Sequence, residues 1–186
     1  MEIVILRHGK PDFEPPVRVK AKELKSLISS YDSCGICDRP PVEARERAQH
    51  CNVAVCSDLP RSMISAKVLG VTPVLVSDPL FREAALPHAR WGLVRLSPKL
   101  WAVFFRLIWF AGFSCNGESV AFARYRAKDA ARRLVKYAAE HKSILLVGHG
   151  IINRFIAEEL LSLGWVGPSN PGRGYWEYGV YRDNTT

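Results

Sequence analysis

The sequence predicts an α/β protein, a three-layer α/β/α sandwich around a mostly parallel sheet. Three observations predict it. Short apolar, β-branched runs alternate with helix-patterned segments along the chain. Two of these runs, residues 2–6 and 143–147, end in a histidine beside glycine, as Arg7-His8-Gly9 and Gly148-His149-Gly150. Finally, 186 residues are enough to bury one proper core, so residues 1–186 are read as a single domain. Ligands of open α/β sheets bind beyond the carboxyl ends of the strands. Both imidazoles are therefore expected at one sheet edge.

Residues 2–6 form the first buried strand. Pro11, Pro15 and Pro16 then forbid a regular helix, leaving a loop above the strand end. Lys10 in that loop lies near any anion bound at His8. Residues 18–30 have helical composition, with Val19, Leu24, Leu27 and Ile28 as the apolar face. Pro40-Pro41 sets up a second helix over 42–50. Residues 52–56 are a strand, and Ser57-Asp58-Leu59-Pro60-Arg61 opens a helix running to about residue 69. Ser57 or Asp58 is its expected cap. Arg61 then projects from a helix start, where the dipole favours phosphate. The alternative for Arg61 is a surface ion pair.

Residues 73–76 are the third strand in order, leading through Asp78-Pro79 to Glu83. Glu83 is expected to reach the same edge. Held against apolar neighbours and a bound anion, it would keep its proton and donate it near neutral pH. An exposed loop carboxylate is the other reading. Residues 97–113 form an aromatic helical insert, crowded with Trp101, Phe104, Phe105, Trp109 and Phe110. It is too short and too interrupted for stable membrane insertion. A helix so apolar must be covered, as core or lid, as a homodimer interface, or by contact with a membrane surface. Trp101, Phe105 and Trp109 are expected to border the site. Asn116-Gly117-Glu118-Ser119 begins a long helix to about residue 140. After the 143–147 strand, a helix from Gly150 runs to about 163 and stops at Gly164. Residues 175–181 alternate aromatic and polar side chains and read as an edge strand.

The net charge is +8 and unevenly spread: residues 61–136 hold thirteen Lys/Arg against four Asp/Glu. That middle either steers anionic ligands or is a solvated basic face. No nucleic-acid-binding signature accompanies it. With hydrophobic content of 48% and mean hydropathy near zero, the composition is that of a globular protein. Five cysteines and no leader before the first strand imply reduced thiols and a cytoplasmic setting. Cys34 and Cys37 have redox or metal-ligand spacing, but no second pair completes a zinc site.

Arg7, His8, Arg61, His149 and Glu83 thus converge on one edge, and their shared guest is a phosphoryl group. Arginine binds phosphate through forked hydrogen bonds. A neutral imidazole can attack phosphorus in line, and a second can donate to an equatorial oxygen. Two histidines among arginines repel a cation, so neither metal nor other cofactor is called for.

Arg7-His8-Gly9 after an N-terminal strand resembles the signature of the histidine phosphatase superfamily, the phosphoglycerate-mutase-like fold. Ser57-Asp58-Leu59-Pro60-Arg61, Gly117-Glu118-Ser119 and Gly148-His149-Gly150 resemble further motifs of that family, in the same order. The resemblance implies a metal-independent phosphomonoesterase of histidine acid phosphatase type. His8 would be the phosphorylated nucleophile, Glu83 the proton donor, and Arg7, Arg61 and His149 the phosphate pocket, with Gly150 and Lys10 beside it. The partner implied is a small-molecule phosphate ester. Lys10-Pro11 stands where many members carry an acid and a small hydroxyl. A phosphoryl mutase of the same fold and a non-catalytic phospho-ligand-binding module are the alternatives.

Overall fold

The computed structural model describes residues 1–90, 92–115 and 117–184. A six-stranded sheet runs in the order β4-β3-β6-β1-β8-β7. Its strands are β1 (Glu2–Arg7), β3 (Val53–Cys56), β4 (Val74–Ser77), β6 (Ser143–Gly148), β7 (Trp165–Val166) and β8 (Tyr178–Asp183). β1 pairs in parallel with β6, β6 with β3, and β3 with β4; β8 runs antiparallel to β1 and β7. The helices are α1 (Leu24–Ser33), α2 (Val42–Gln49), α3 (Pro60–Leu69), α4 (Pro98–Phe110), α5 (Val120–His141) and α6 (Gly150–Ser162). β2 (Val19–Lys20) and β5 (Arg95–Leu96) make a separate ribbon.

β1 explains the layering. Its side chains alternate across the sheet. Ile3 and Ile5 face the cluster built with α5 and α6, while Val4 and Leu6 face the cluster that includes Ala44 and Ala48 of α2 and Ala66 and Leu69 of α3. All four are fully buried, each contributing about 1.5–3 kcal/mol of apolar transfer. α5 lays Ala123, Ala127, Ala130 and Ala131 into the first cluster, and these small side chains let it lie close to α6.

Register decides where the site falls. Arg7 pairs with Gly148 across β1 and β6, and Cys56 with Val147 across β3 and β6. His8 and His149 therefore emerge side by side at one level, with Ser57 one residue behind them, beside Gly148. The ladder runs past the strand ends, His8 N–H donating to the Gly148 carbonyl and Ser57 N–H to that of Val147.

Several expectations are corrected. The segment 18–30 is a strand residue pair and a turn before α1 begins at Leu24, because Val19 and Lys20 pair with β5. Leu59, not Ser57 or Asp58, is the N-cap of α3. The Ser57 hydroxyl is engaged by His149, and Asp58 forms a forked ion pair with Arg82. β8 is not the sheet edge, since β7 pairs along its outer side. It begins only at Tyr178, after Trp176 takes a positive φ of 64° and donates its N–H to the Arg7 carbonyl. Of the covers expected for α4, the chain itself supplies one side. Phe105 and Trp109 are buried and Trp101 half-buried, packing within the protein, while Leu100, Val103, Phe104, Leu107 and Phe110 stay exposed. Asn116, expected to open α5, lies outside the described residues; the helix starts at Val120, capped by the Ser119 hydroxyl accepting from Phe122 N–H.

Candidate active site

His8 and His149 meet with ring centroids 4.9 Å apart, close enough to touch one phosphoryl group. Both rings are buried, and so is Arg61. The His8 Nδ1 lies 2.7 Å from its neighbour's carbonyl, that of Gly9. A carbonyl only accepts, so Nδ1 carries the proton and Nε2 keeps its lone pair. Burial, with Arg61 and Arg7 nearby, outweighs the Gly9 hydrogen bond and lowers the His8 pKa from 6.5 to about 3. The imidazole is therefore neutral around pH 7.

His149 is held differently. Its Nε2 lies 2.6 Å from the Ser57 hydroxyl, and Ser57 Oγ also accepts from Leu59 N–H at 3.4 Å. With that hydroxyl donating to Nε2, His149 is the Nδ1–H tautomer. That Nδ1 is buried and, among the described residues, has no partner. Its pKa is lowered well below the ordinary value, first by burial and then by His8, Arg61 and Arg7. Asn153, one helical turn on, accepts from His149 N–H at 3.1 Å and donates through Nδ2 to the Leu6 carbonyl at 3.1 Å. It ties the end of β6 to the end of β1. Gly148 has no Cβ because one would lie 2.1 Å from Asn153 Oδ1.

The arginines flank the rings. Arg7 lies over the Tyr175 ring at 4.6 Å and donates to the Arg173 carbonyl. Arg61 lies over the Tyr31 ring at 4.6 Å and donates to the Tyr31 carbonyl and to Asp32, both at 3.1 Å. It is both buried near the histidines and paired with an acid, combining the two sequence readings. The Nε atoms of Arg7 and Arg61 are buried without a partner among the described residues. Together with His149 Nδ1 they form a set of unmatched donors suited to an anion.

Glu83 reaches this edge. Its carboxylate accepts from the N–H groups of Ala84, Ile151 and Ile152 at 2.9–3.1 Å, so it caps α6 from outside. A Cβ built on Gly150 would lie 3.6 Å from Glu83 Oε2 and 3.7 Å from Arg7 Cζ, so carboxylate and guanidinium both border Gly150. The loop carrying Glu83 is clamped from behind. Arg126 pairs with Glu118 at 2.6 Å and donates to the carbonyls of Leu80 and Arg82, while Arg106 donates to that of Ala84. The Gly117-Glu118-Ser119 motif thereby supports the site without entering it. Lys10 is exposed, its backbone fastened to Asp38 and Cys37.

Ser57, Asn153, Tyr31 and Tyr175 are site residues that the sequence did not single out for these roles. Asn153 had a signal: an amide one turn after a helix-opening histidine can reach back to it. Tyr31 and Tyr175 had none. Cys34 and Cys37 are free, their thiols donating to the carbonyls of Tyr31 and Pro11.

The model of the histidine phosphatase superfamily, branch 1, matches residues 42–172. The chain belongs to this superfamily. The match takes in Arg61, Glu83 and His149, and β1 with Arg7 and His8 lies ahead of it. Among solved structures, the chain is similar to mycobacterial glucosyl-3-phosphoglycerate phosphatase, with a TM-score of 0.61 and 22% identity over 96% of this chain and 88% of that one. The same phosphatase in complex with VO3 gives a TM-score of 0.60 and 21% identity over 100% and 99% of the two chains. An open reading frame product of Mycobacterium tuberculosis gives 0.60 and 20% over 96% and 89%. At these identities the likeness shows the histidine phosphatase fold. No curated protein matches the sequence.

Proposed function

We propose that this histidine phosphatase hydrolyses small phosphomonoesters, without a metal, through a phosphohistidine at His8. The observation that carries the reading is the pair of neutral, buried imidazoles 4.9 Å apart with Arg7 and Arg61 beside them. His8 Nε2 attacks phosphorus in line; the N–P bond forms as the ester P–O bond breaks. Arg7, Arg61 and His149 Nδ1–H hold the non-bridging oxygens as charge shifts onto them. Gly150 and Lys10 lie beside that pocket. Glu83 protonates the departing alkoxide, then takes a proton from the water that releases inorganic phosphate. Five free thiols suit a reducing, cytoplasmic setting.

The test is hydrolysis of an aryl phosphate in EDTA, with the phosphoenzyme trapped by acid quench and vanadate as inhibitor. A phosphoenzyme that forms in the parent chain and not in His8→Ala is expected. Tight vanadate binding with no turnover of any ester would leave a phospho-ligand-binding module. Glu83 carries its own test, because it is both α6 cap and proposed acid. Glu83→Gln keeps an acceptor for the cap but cannot give a proton. It should slow alkyl phosphates about 10²–10⁴-fold and barely affect an aryl phosphate whose leaving group needs no proton. Equal loss on both substrates would mean the residue serves only the helix.

A further inference from the structure

The outer side of α4 is an apolar ridge. Leu100, Val103, Phe104, Leu107 and Phe110 follow helical spacing and are 47–65% exposed. From Leu100 to Phe110 the ridge runs for about 15 Å. Exposed apolar surface of this extent is uncommon on a protein that needs no partner there. Just before the helix, Leu93 and Val94 are exposed as well.

The stretch of chain that carries the ridge has charge of one sign. Residues 84–117 contain no Asp or Glu. Arg90, Arg95 and Lys99 are exposed at the foot of α4. Lys22, Lys25 and Arg90 line a shallow cavity of about 290 Å³ there. In the β2–β5 ribbon, Lys20 stands directly opposite Arg95. Like charges opposite each other are unfavourable unless an anion lies between them or near them. Glu23, the nearby acid, accepts from the Lys20 backbone N–H.

We infer that α4 and the basic surface at its foot dock this protein on an anionic lipid surface, with the ridge at the headgroup–acyl boundary and the lysines and arginines among the phosphates. Charge and shape favour this over a second copy of the chain. Two molecules with net charge +8 would bring their basic rims together. A convex ridge on one helix suits a deformable bilayer boundary, where an amphipathic helix lies in the plane with basic residues alongside. No helix among the described residues is long and apolar enough to cross a membrane, so the contact is one-sided. The inference stands apart from the chemistry assigned to the pocket.

The experiment is co-sedimentation of the intact protein with vesicles of phosphatidylcholine alone and of phosphatidylcholine with phosphatidylglycerol. Binding to the anionic vesicles only is expected, weakening as salt screens the headgroups. Phe104→Ser combined with Leu107→Ser should weaken it about tenfold or more through lost apolar burial. Arg95→Glu combined with Lys99→Glu should weaken it about as much. All four side chains are exposed, so an unchanged Tm serves as the folding control. No binding to anionic vesicles overturns the proposal, as does binding that the ridge substitutions leave unaltered. A dimer by light scattering that those ridge substitutions split into monomers also overturns it, in favour of a self-association face.

Discussion

The two histidine-bearing strand ends look alike in sequence and are built differently. At the end of β1, His8 spends its own Nδ1 on the adjacent Gly9 carbonyl, so its tautomer is set by one backbone bond. At the end of β6, His149 depends on three other elements: Ser57 after β3, Asn153 on α6, and through Asn153 the Leu6 carbonyl of β1. The glycines differ too. Gly9 is needed because a Cβ would lie 2.3 Å from the Trp176 ring, and Gly148 because of Asn153. A Cβ on Gly150 would meet only ordinary contacts. The difference accords with the proposed roles. A nucleophile needs one free lone pair and little else, whereas a donor to a transition-state oxygen needs its proton aimed from several sides.

The largest effect expected is at His8. His8→Ala should cut turnover by about 10⁴-fold or more and abolish the phosphoenzyme, measured by single-turnover quench. His149→Ala should keep a detectable phosphoenzyme and lose about 10²–10³-fold; equal behaviour of the two variants would break the comparison.

Acid comes next. In the folded protein His8 has a pKa of about 3 against an ordinary 6.5, and His149 is lowered as well. Below 6.5 the unfolded chain therefore binds protons that the native state refuses. Stability should fall as pH drops from about 6.5 towards 3, by up to about 1.4 kcal/mol per pH unit from His8, with His149 adding in the same direction. Denaturant unfolding at a series of pH values measures the slope, and ring NMR should find neither histidine titrating near 6.5.

Smaller effects separate the glycines. Gly148→Ala should lower stability by about 1–3 kcal/mol, since Asn153 must leave its two bonds, while Gly150→Ala should leave Tm nearly unchanged. Smallest is Ser57→Ala, which strips His149 Nε2 of its partner. About a tenfold loss in kcat with KM little changed is expected, and a Thr at the same position should restore part of it. Full activity in Ser57→Ala would show that the ring is held in place without that hydroxyl.

The strands were legible because their side chains report burial directly. Runs such as Val53-Ala54-Val55-Cys56 are buried throughout, and no helix pattern competes with them. The start of β8 was not legible, because the positive φ at Trp176 answers to packing against Gly9, far away in sequence. Nor was the role of Glu118, whose pairing with Arg126 joins the start of α5 to the loop before Glu83. What covers α4 was not legible for a related reason. Its composition called for cover, but composition records apolar area, not whether that area meets the protein's own core.

By itself the sequence determined the α/β alternation, the strand ends bearing Arg7-His8 and His149, and the helix start bearing Arg61, because periodicity, turn chemistry and motif order are local properties of a chain. Only the tertiary structure decided that β1, β6 and β3 stop within one residue of the same level, that Ser57 bonds the ring of His149 and Asn153 its backbone, and that Glu83 serves the α6 N-terminus. Those facts depend on strand register and on hydrogen bonds between distant residues, and the geometry of such bonds exists only once the sheet has closed around its core.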